Sequence, residues 1–424
     1  MATDKSPGEI LTSAFNKLIE RDFGHTVPPD PYLTATGIRH LDALLGGGFV
    51  SSLPIMISSV PEAGKSTFAF QFSSQFQRQH PNGVVLYLDV EASANVSGLS
   101  NYAESRIETF GINRSTMVYK PLMLNVREMF DICKKHIELK REVERRTNSE
   151  VPMLIILDSL AAVPSSKDMD ADDVNSTIGY KARELTFVLT QLKTYLAMNK
   201  VTMIIIDQVR ANMQITSPYA VRDEKTVGNF GSVKAATGIS ALQHAVHQWL
   251  FLSKGLQLNP TEGFGADGHI INVSVEKSKI AQSGASMALV FDRKFGIIPL
   301  LSEYLFMSEM TKTEAKNTKK VESKLVFPLC VETVGRSKVL KIIDPDTLKV
   351  IRESDKFMEK NLIQKYNTDA QFKKDFDDAI TNSIEGRIVR GIFRSRSSSV
   401  EDSPIIDTED EGDVLIDDEG YPSL

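Results

Sequence analysis

Residues 59–66 read Ser-Val-Pro-Glu-Ala-Gly-Lys-Ser and follow the apolar run Leu53–Ile57. This order predicts a strand, a phosphate-binding loop and a helix, because a Gly-x-x-x-x-Gly-Lys-Ser/Thr loop aims backbone N–H groups and a helix dipole at a phosphate. Lys65 is expected to reach the β- and γ-phosphates of a nucleotide, and the Ser66 hydroxyl to bind Mg²⁺. Ser59 replaces the first glycine of the pattern, so the loop alone fits an ordinary strand–helix turn equally well.

Composition indicates a globular protein of two or three domains. The 424 residues are 42% hydrophobic and 25% charged, and they contain neither an apolar run long enough to cross a membrane nor a signal-peptide core. The two cysteines, Cys133 and Cys330, suit a reducing compartment and provide neither a disulfide framework nor a zinc cluster. We therefore expect a cytoplasmic protein with no membrane partner.

Strand-like and helical patterns alternate from about residue 34 to 300. The strand-like runs, rich in Val, Ile and Leu, are Val84–Leu88, Met153–Leu157, Val201–Ile206, Ile270–Val275 and Ala288–Phe291. The helical patterns include Thr67–Gln79, Val126–Arg145 and Tyr180–Met198. This alternation predicts an α/β fold, in which a parallel-rich sheet lies between helices.

Four segments are predicted along the chain. Residues 1–33 hold a short amphipathic helix and a proline-rich linker suited to oligomerisation, residues 34–311 form the α/β core, and residues 312–399 begin with a lysine-rich linker and form a smaller α+β domain. Residues 400–424 form an acidic, disordered tail with ten Asp or Glu and no Lys or Arg. Without that tail the net charge changes from −6 to +4. This segregation suits a protein that meets a polyanion, and a solubilising tail explains it as well.

Polar residues stand at the ends of three predicted strands. Glu91 follows the strand that ends near Asp89, and a carboxylate there can orient and deprotonate an attacking water. Asp158 ends an apolar strand, as expected of a residue that holds Mg²⁺, and Gln208 ends the next strand, where it could sense a γ-phosphate. Taken singly, a solvated strand terminus explains a carboxylate such as Glu91 better.

Two long polar segments and a lysine pair complete the pattern. Residues 163–178 and 210–238 follow the strands that end at Asp158 and Gln208, and long loops in an α/β domain are usually functional or disordered. The second segment is basic and glycine-containing, which suits contact with a nucleic-acid backbone. Lys277 and Lys279 alternate on a predicted strand, where they would either hold an anion or protect a solvated edge.

In this order, the segments resemble the RecA/RadA recombinase family, and most closely its phage UvsX-type branch. The resemblance covers roughly residues 34–300, and it extends more weakly to the C-terminal region. The matching stretches are Thr36–Gly48, Arg78–Pro81, Leu-Tyr-Leu-Asp89-Val-Glu91, Ile-Leu-Asp158-Ser159-Leu160 and Val-Glu276-Lys277-Ser278-Lys279. The ordered set is far more specific than any one of its members, and it implies a RecA-like P-loop ATPase core.

The resemblance implies a role for each matching residue. Catalysis would involve Glu91 as the base together with Lys65, Gln208, Lys277 and Lys279. The last two would reach the γ-phosphate bound by a neighbouring subunit, and Gln208 would couple ATP to the second of the two DNA-binding loops. Mg²⁺ would be held by Ser66 and Asp158. The ATP-binding residues would be Ser59, Val60, Pro61, Glu62, Ala63, Gly64, Lys65, Ser66, Thr67 and the base-stacking Tyr102.

The function that the resemblance implies is that of a DNA-dependent ATPase and homologous-recombination strand-exchange protein. Its cofactors would be ATP and Mg²⁺, and its partners single-stranded and duplex DNA, further copies in a head-to-tail helical filament, and a loader or single-strand-binding protein. A phage-encoded copy would lie in the host cytoplasm or on DNA. Two alternatives stay open: a RecA-fold hexameric helicase-type motor, and a nucleotide-gated DNA-binding regulatory module.

Overall fold

A computed structural model describes residues 6–23, 27–91, 101–167, 180–208, 245–261, 265–281, 283–309 and 326–390. Residues 31–396 form one compact unit, and helix α1, Pro7–Phe23, belongs to a separate one. On α1 the apolar side chains of Leu11, Phe15 and Ile19 are about half-exposed. None of the helices in the described ranges is long and apolar enough to cross a membrane.

Helices and strands alternate through the larger unit. Its described α-helices are α2 Arg39–Leu44, α3 Lys65–Gln79, α4 Asn101–Thr109, α5 Val126–Thr147, α6 Tyr180–Met198, α7 Pro299–Ser308, α8 Leu362–Thr368 and α9 Ala370–Val389. Its strands are β1 Leu33–Thr34, β2 Phe49–Val50, β3 Pro54–Ser59, β4 Val84–Asp89, β5 Met117–Pro121, β6 Met153–Asp158, β7 Val201–Gln208, β8 Gln248–Gln257, β9 Gly268–Ser278, β10 Ser286–Asp292, β11 Gly296–Ile297, β12 Val331–Val334, β13 Ser337–Ile343 and β14 Val350–Glu353.

Nine of these strands form the central sheet, in the order β11-β10-β9-β8-β3-β7-β6-β4-β5. The six strands from β8 to β5 are parallel, and β9, β10 and β11 continue the sheet in antiparallel pairings. Strands β3 and β4 follow each other in the chain, yet β7 and β6 lie between them. Such a crossover leaves a crevice at the carboxyl ends of the strands, which is where open α/β sheets bind ligands.

Each face of the sheet is covered by its own hydrophobic core. Alternate residues of a strand point to opposite faces, so Ile55 and Ile57 enter one core and Met56 enters the other. The first core contains the phenylalanines of α3, including Phe68 and Phe72. The second core is formed with α5 and α6. The predicted parallel-rich sheet between helices is therefore confirmed.

The C-terminal region is a small α+β assembly that shares the first core. Strands β12, β13 and β14 form an antiparallel sheet, and Phe372 and Phe376 of α9 pack into the same cluster as α3. The Arg39 guanidinium joins the two regions, because it pairs with Glu303 at 2.6 Å and with Asp377 at 2.9 Å. The predicted boundary near residue 312 lies outside the described residues and stays a prediction, as does the acidic tail.

Candidate nucleotide-binding site

The predicted phosphate loop connects β3 to α3 and has the backbone form that binds anions. Glu62 has a φ of +60° and Gly64 a φ of +89°, both in the left-handed region. Turns of this kind direct successive backbone N–H groups to one side, which makes a concave anion site. Gly64 also needs to lack a side chain, since a Cβ there would lie 2.9 Å from Cε2 of Phe291. Helix α3 begins at Lys65, so its positive dipole end faces the loop.

The Lys65 ammonium lies within the loop and is nearly buried. Its Nζ donates to Oγ of Ser59 at 2.6 Å and to the carbonyl oxygen of Val60 at 3.2 Å. Burial lowers the pKa of Lys65, and the carboxylates of Asp158 and Glu91 partly oppose that effect. The position where the motif has glycine thus supplies a hydroxyl that holds the lysine.

Asp158, at the end of β6, forms the acidic side of the crevice. It is 8% exposed, and burial raises its pKa to about 6, against hydrogen bonds from Tyr87 and Ser66 that favour the charged form. The Tyr87 hydroxyl donates to Oδ2 of Asp158 at 2.7 Å. A hydroxyl and a carboxylate are the oxygen donors that Mg²⁺ takes, and Mg²⁺ in nucleotide sites draws its other ligands from phosphate and water. The donor set at Ser66 and Asp158 therefore fits the metal.

Glu91 sits where three strands of the sheet end together. One of its oxygens, Oε1, accepts from Oγ of Ser159 at 2.6 Å and from Nε2 of Gln208 at 2.5 Å. The strand register explains the meeting, since Asp89 lies opposite Asp158 and Gln208 lies opposite Ser59. The peptide bond between Asp158 and Ser159 is cis. The structure thus brings a carboxylate, an amide and a hydroxyl together beside the loop.

Tyr102 lies on α4 beside the start of α3. Its hydroxyl is 3.1 Å from Oγ1 of Thr67, and the Arg106 guanidinium lies 5.2 Å from its ring centre. Arg106 also donates to the carbonyl oxygens of Arg293 at 2.8 Å and Lys294 at 3.0 Å. Tyr102 is 38% exposed, and the Arg106 guanidinium packs over its ring. Sequence reasoning missed Arg106, although a spacing of four residues from Tyr102 places both on one helix face.

Lys277 and Lys279 lie away from the phosphate loop of their own chain. Ser278, between them, pairs with Gln248, which pairs with Ile55 near the start of β3. Four residues of strand separate Ile55 from Ser59, or about 13 Å, and two strand spacings add about 10 Å across the sheet. A lysine side chain cannot cover that distance. The two lysines are not brought to the site that Lys65 occupies.

The lysine pair belongs instead to a cluster of cations at the amino-terminal ends of the parallel strands. Burial lowers the pKa of Lys277, and the charges of Lys279 and Lys193 lower it further. Burial and the same three ammonium groups lower the pKa of His247 to about 4. Sequence reasoning missed Lys193 and His247, because α6 and the start of β8 are remote from β9 in the chain. This cluster has the charge expected of an anion site.

The two predicted DNA loops are only partly within the described residues. The first of them begins in the structure, where Ser166 donates its backbone N–H to Oε2 of Glu184 at 3.0 Å. The rest of 163–178 and all of 210–238 lie outside the described residues. Their assignment to DNA stays a prediction.

Comparison with known proteins supports the assignment of a nucleotide-binding site. A family model described as "ATPase: KaiC" matches residues 34–228. Proteins named RecA from Leptospira biflexa, Desulforapulum autotrophicum and Nostoc sp. are 26%, 25% and 23% identical to the chain over 282, 266 and 248 residues. These alignments cover 66%, 62% and 58% of this chain and 63%, 65% and 59% of the relatives, so the match spans less than two thirds of their length.

The matches and the structure agree on the core. Residues 34–228 include the phosphate loop, Glu91, Asp158 and Gln208, and they supply most of the parallel strands of the sheet. A special closeness to the phage branch stays a prediction. The core of this chain has the RecA-like P-loop ATPase fold, and it is similar in sequence to proteins named RecA.

Proposed function

We propose that this protein is a DNA-dependent ATPase that forms filaments on single-stranded DNA and exchanges homologous strands. The observation that carries the proposal is the meeting of Lys65, Asp158, Glu91 and Gln208 at the carboxyl edge of the sheet, beside an anion-binding loop. Similarity to proteins named RecA supports the same activity. ATP and Mg²⁺ are the ligands that this set of side chains suits.

Each side chain then has one task in hydrolysis. Lys65 would hold the β- and γ-phosphates, and Ser66 and Asp158 would hold Mg²⁺, which supplies positive charge beside the phosphate oxygens when it is bound. Glu91 orients the attacking water and accepts its proton. Gln208 reports the γ-phosphate to the segment that follows it in the chain. Phosphate binding requires Lys65 to exchange its present contact with Ser59 for the ligand.

The remoteness of the lysine cluster supports a site shared between subunits. Lys277 and Lys279 of one copy would complete the site formed by Lys65 and Glu91 of the next. The two surfaces differ and lie at opposite ends of the same strands, so the contact is head to tail. If the rotation between neighbours does not close into a ring, such contacts build a filament. Loss of the γ-phosphate would weaken the contact and release DNA.

A second pair of complementary surfaces supports the same assembly. An apolar groove of about 220 Å³ lies between α5 and the edge of the sheet, lined among others by Val118, Leu139 and Val143. These three side chains are 40–57% exposed. Helix α1 carries half-exposed Leu11 and Phe15 on its own tether. Exposed apolar surface of this kind marks protein interfaces, and we place α1 of a neighbouring copy in the groove.

The proposal that this protein binds DNA is supported by its charge and by its resemblance to the recombinase family. The +4 charge outside the tail and the basic segment 210–238 suit single-stranded and duplex DNA, and partners such as a loader or a single-strand-binding protein are proposed only from the family. A hexameric helicase-type motor would use the same nucleotide site. Electron micrographs with single-stranded DNA and a non-hydrolysable ATP analogue separate the two, since the motor forms rings and the recombinase forms filaments.

The first prediction concerns the hydroxyl at the loop position that usually holds glycine. Ser59→Ala removes the contact between Oγ and Lys65 Nζ, at 2.6 Å, which competes with phosphate. A hydrogen bond to a charged group contributes on the order of 1.5 kcal/mol, so we expect nucleotide affinity to rise about tenfold, measured with a fluorescent ADP. Weaker binding by S59A would show that the hydroxyl itself binds the phosphates.

The second prediction tests catalysis and its dependence on DNA. Lys65→Ala removes the charge that faces the phosphates, and ATP turnover should fall to background in the presence of single-stranded DNA. Lys254→Ala is the matched control, because Lys254 lies on the surface and pairs only loosely with Glu62, at 3.8 Å. It should keep the parent rate. Turnover that is the same with and without DNA would favour the regulatory module.

The third prediction tests the shared site. Subunits with Lys277→Ala keep Glu91, and subunits with Glu91→Gln keep Lys277, so each variant is inactive alone. In an equal mixture about a quarter of head-to-tail contacts combine the two intact halves, and the ATPase rate should recover to about a quarter of the parent rate. Activity that stays at the level of the separate variants in every ratio would place the whole site within one subunit.

The fourth prediction tests the groove. Leu139→Asp puts a charge into it and should prevent assembly, as should deletion of residues 1–24, when size is followed by light scattering with nucleotide and DNA. Phe187→Asp is the control, since Phe187 is 60% exposed on α6 and does not line the groove. Full assembly of L139D would remove the groove from the interface.

A further inference from the structure

A buried tyrosine on the strand next to β6 donates a hydrogen bond to the carboxylate of Asp158. The Tyr87 side chain is 1% exposed, and its hydroxyl donates to Oδ2 of Asp158 at 2.7 Å. Tyr87 lies opposite Ile156 in the parallel pairing of β4 with β6. Because alternate residues share a face, Asp158 stands diagonally ahead of Tyr87 on the same face. The hydroxyl therefore meets the carboxylate from behind the crevice.

Packing fixes the ring that carries this hydroxyl. Phe70 of α3 stacks on Tyr87 with ring centres 4.5 Å apart and an angle of 15° between the planes. Tyr119 of β5 lies beside it at 5.5 Å. Phe70 belongs to the helix that starts at Lys65, so one ring stack ties the phosphate-loop helix to the strand end that bears Asp158.

We propose that Tyr87 is a positioning residue for the Mg²⁺ of the bound nucleotide. The inference rests on the proposed function. An aspartate carboxylate can rotate about its Cβ–Cγ bond, and a metal ligand must present one oxygen in a fixed direction. The hydrogen bond to Oδ2 holds that rotation, and it leaves the other oxygen for the metal. Donors of this kind behind a metal ligand change metal affinity by tenfold or more.

The same fold contains a matched tyrosine–aspartate pair one strand further along the sheet. Tyr119 lies opposite Tyr87 in the pairing of β5 with β4, and its hydroxyl donates to Oδ2 of Asp89, also at 2.7 Å. Both tyrosines thus reach the carboxylate two residues further along the neighbouring strand. They differ in which carboxylate they hold, since Asp158 faces Ser66 and the phosphate loop. Tyr119→Phe is therefore the control for Tyr87→Phe.

The experiment measures the affinity of full-length protein for a fluorescent ADP in excess EDTA and in saturating Mg²⁺. The ratio of the two affinities is the gain due to the metal. In EDTA, Y87F should bind ADP as tightly as the parent does. Its gain in affinity on adding Mg²⁺ should be about tenfold smaller than the parent's, while Y119F should match the parent in EDTA and in Mg²⁺. In the Asp158→Asn background, Y87F should change nothing further. Replacing Tyr87 with 4-aminophenylalanine, which keeps a donor, should restore the gain, and 4-methylphenylalanine should not.

The outcomes separate a positioning role of Tyr87 from a merely structural one. A full metal gain in Y87F, an equal loss in EDTA and in Mg²⁺, or the same loss in Y119F would each overturn the role of Tyr87. If Y87F does not fold, the amino and methyl analogues, which both fill the space of the hydroxyl, give the same comparison. A parent protein that binds no nucleotide, or shows no gain with Mg²⁺, would overturn the proposed function instead.

Discussion

Parallel pairing of β3, β7, β6 and β4 is the constraint on which the site depends. Its register places Ser59 opposite Gln208 and Asp89 opposite Asp158, so the loop and the carboxylates end at one edge of the sheet. A slip of one residue would turn every side chain of a strand to the other face. The two hydrophobic cores oppose such a slip, because it would exchange side chains of different size and shape between two closely packed faces. The chemistry of the edge is thus fixed by packing at the centre.

The polar groups of the site pair with one another. Lys65 donates to Ser59, Glu91 accepts from Ser159 and Gln208, and Asp158 accepts from Tyr87. Lys65 and Asp158 are buried, so leaving either of them unpaired would cost free energy. Ligand binding in this crevice is therefore an exchange of partners, so the affinity depends on the internal contacts as much as on those made to phosphate.

Much of the sheet could be predicted because its signals are local. The helix Tyr180–Met198 and the start of the strand at Met153 agree with the predicted limits, since periodicity within one segment defines them. Strand β8 was not predicted: Lys254 and Gly255 interrupt its apolar residues, and its place beside β3 is set by pairing. The phosphate loop is likewise a matter of spacing. The structure alone reveals the roles of Tyr87, Arg106 and Lys193, because the residues that they contact lie on other helices and strands.

The arrangement of charge along the parallel strands has a consequence for assembly. The carboxyl ends bear carboxylates and an anion-binding loop, and the amino-terminal ends bear Lys193, Lys277 and Lys279. Burial and the charges of Lys279 and Lys193 lower the pKa of Lys277, and an anion between the three ammonium groups would stabilise them. The phosphate loop of the same chain is too far away to bring that anion. A second copy, displaced along the strand direction, would bring a phosphate to them. In the proposed filament, the amino-terminal ends of the strands in one copy therefore meet the carboxyl ends of the strands in the next copy. The stability of that contact would depend on the nucleotide between the two copies.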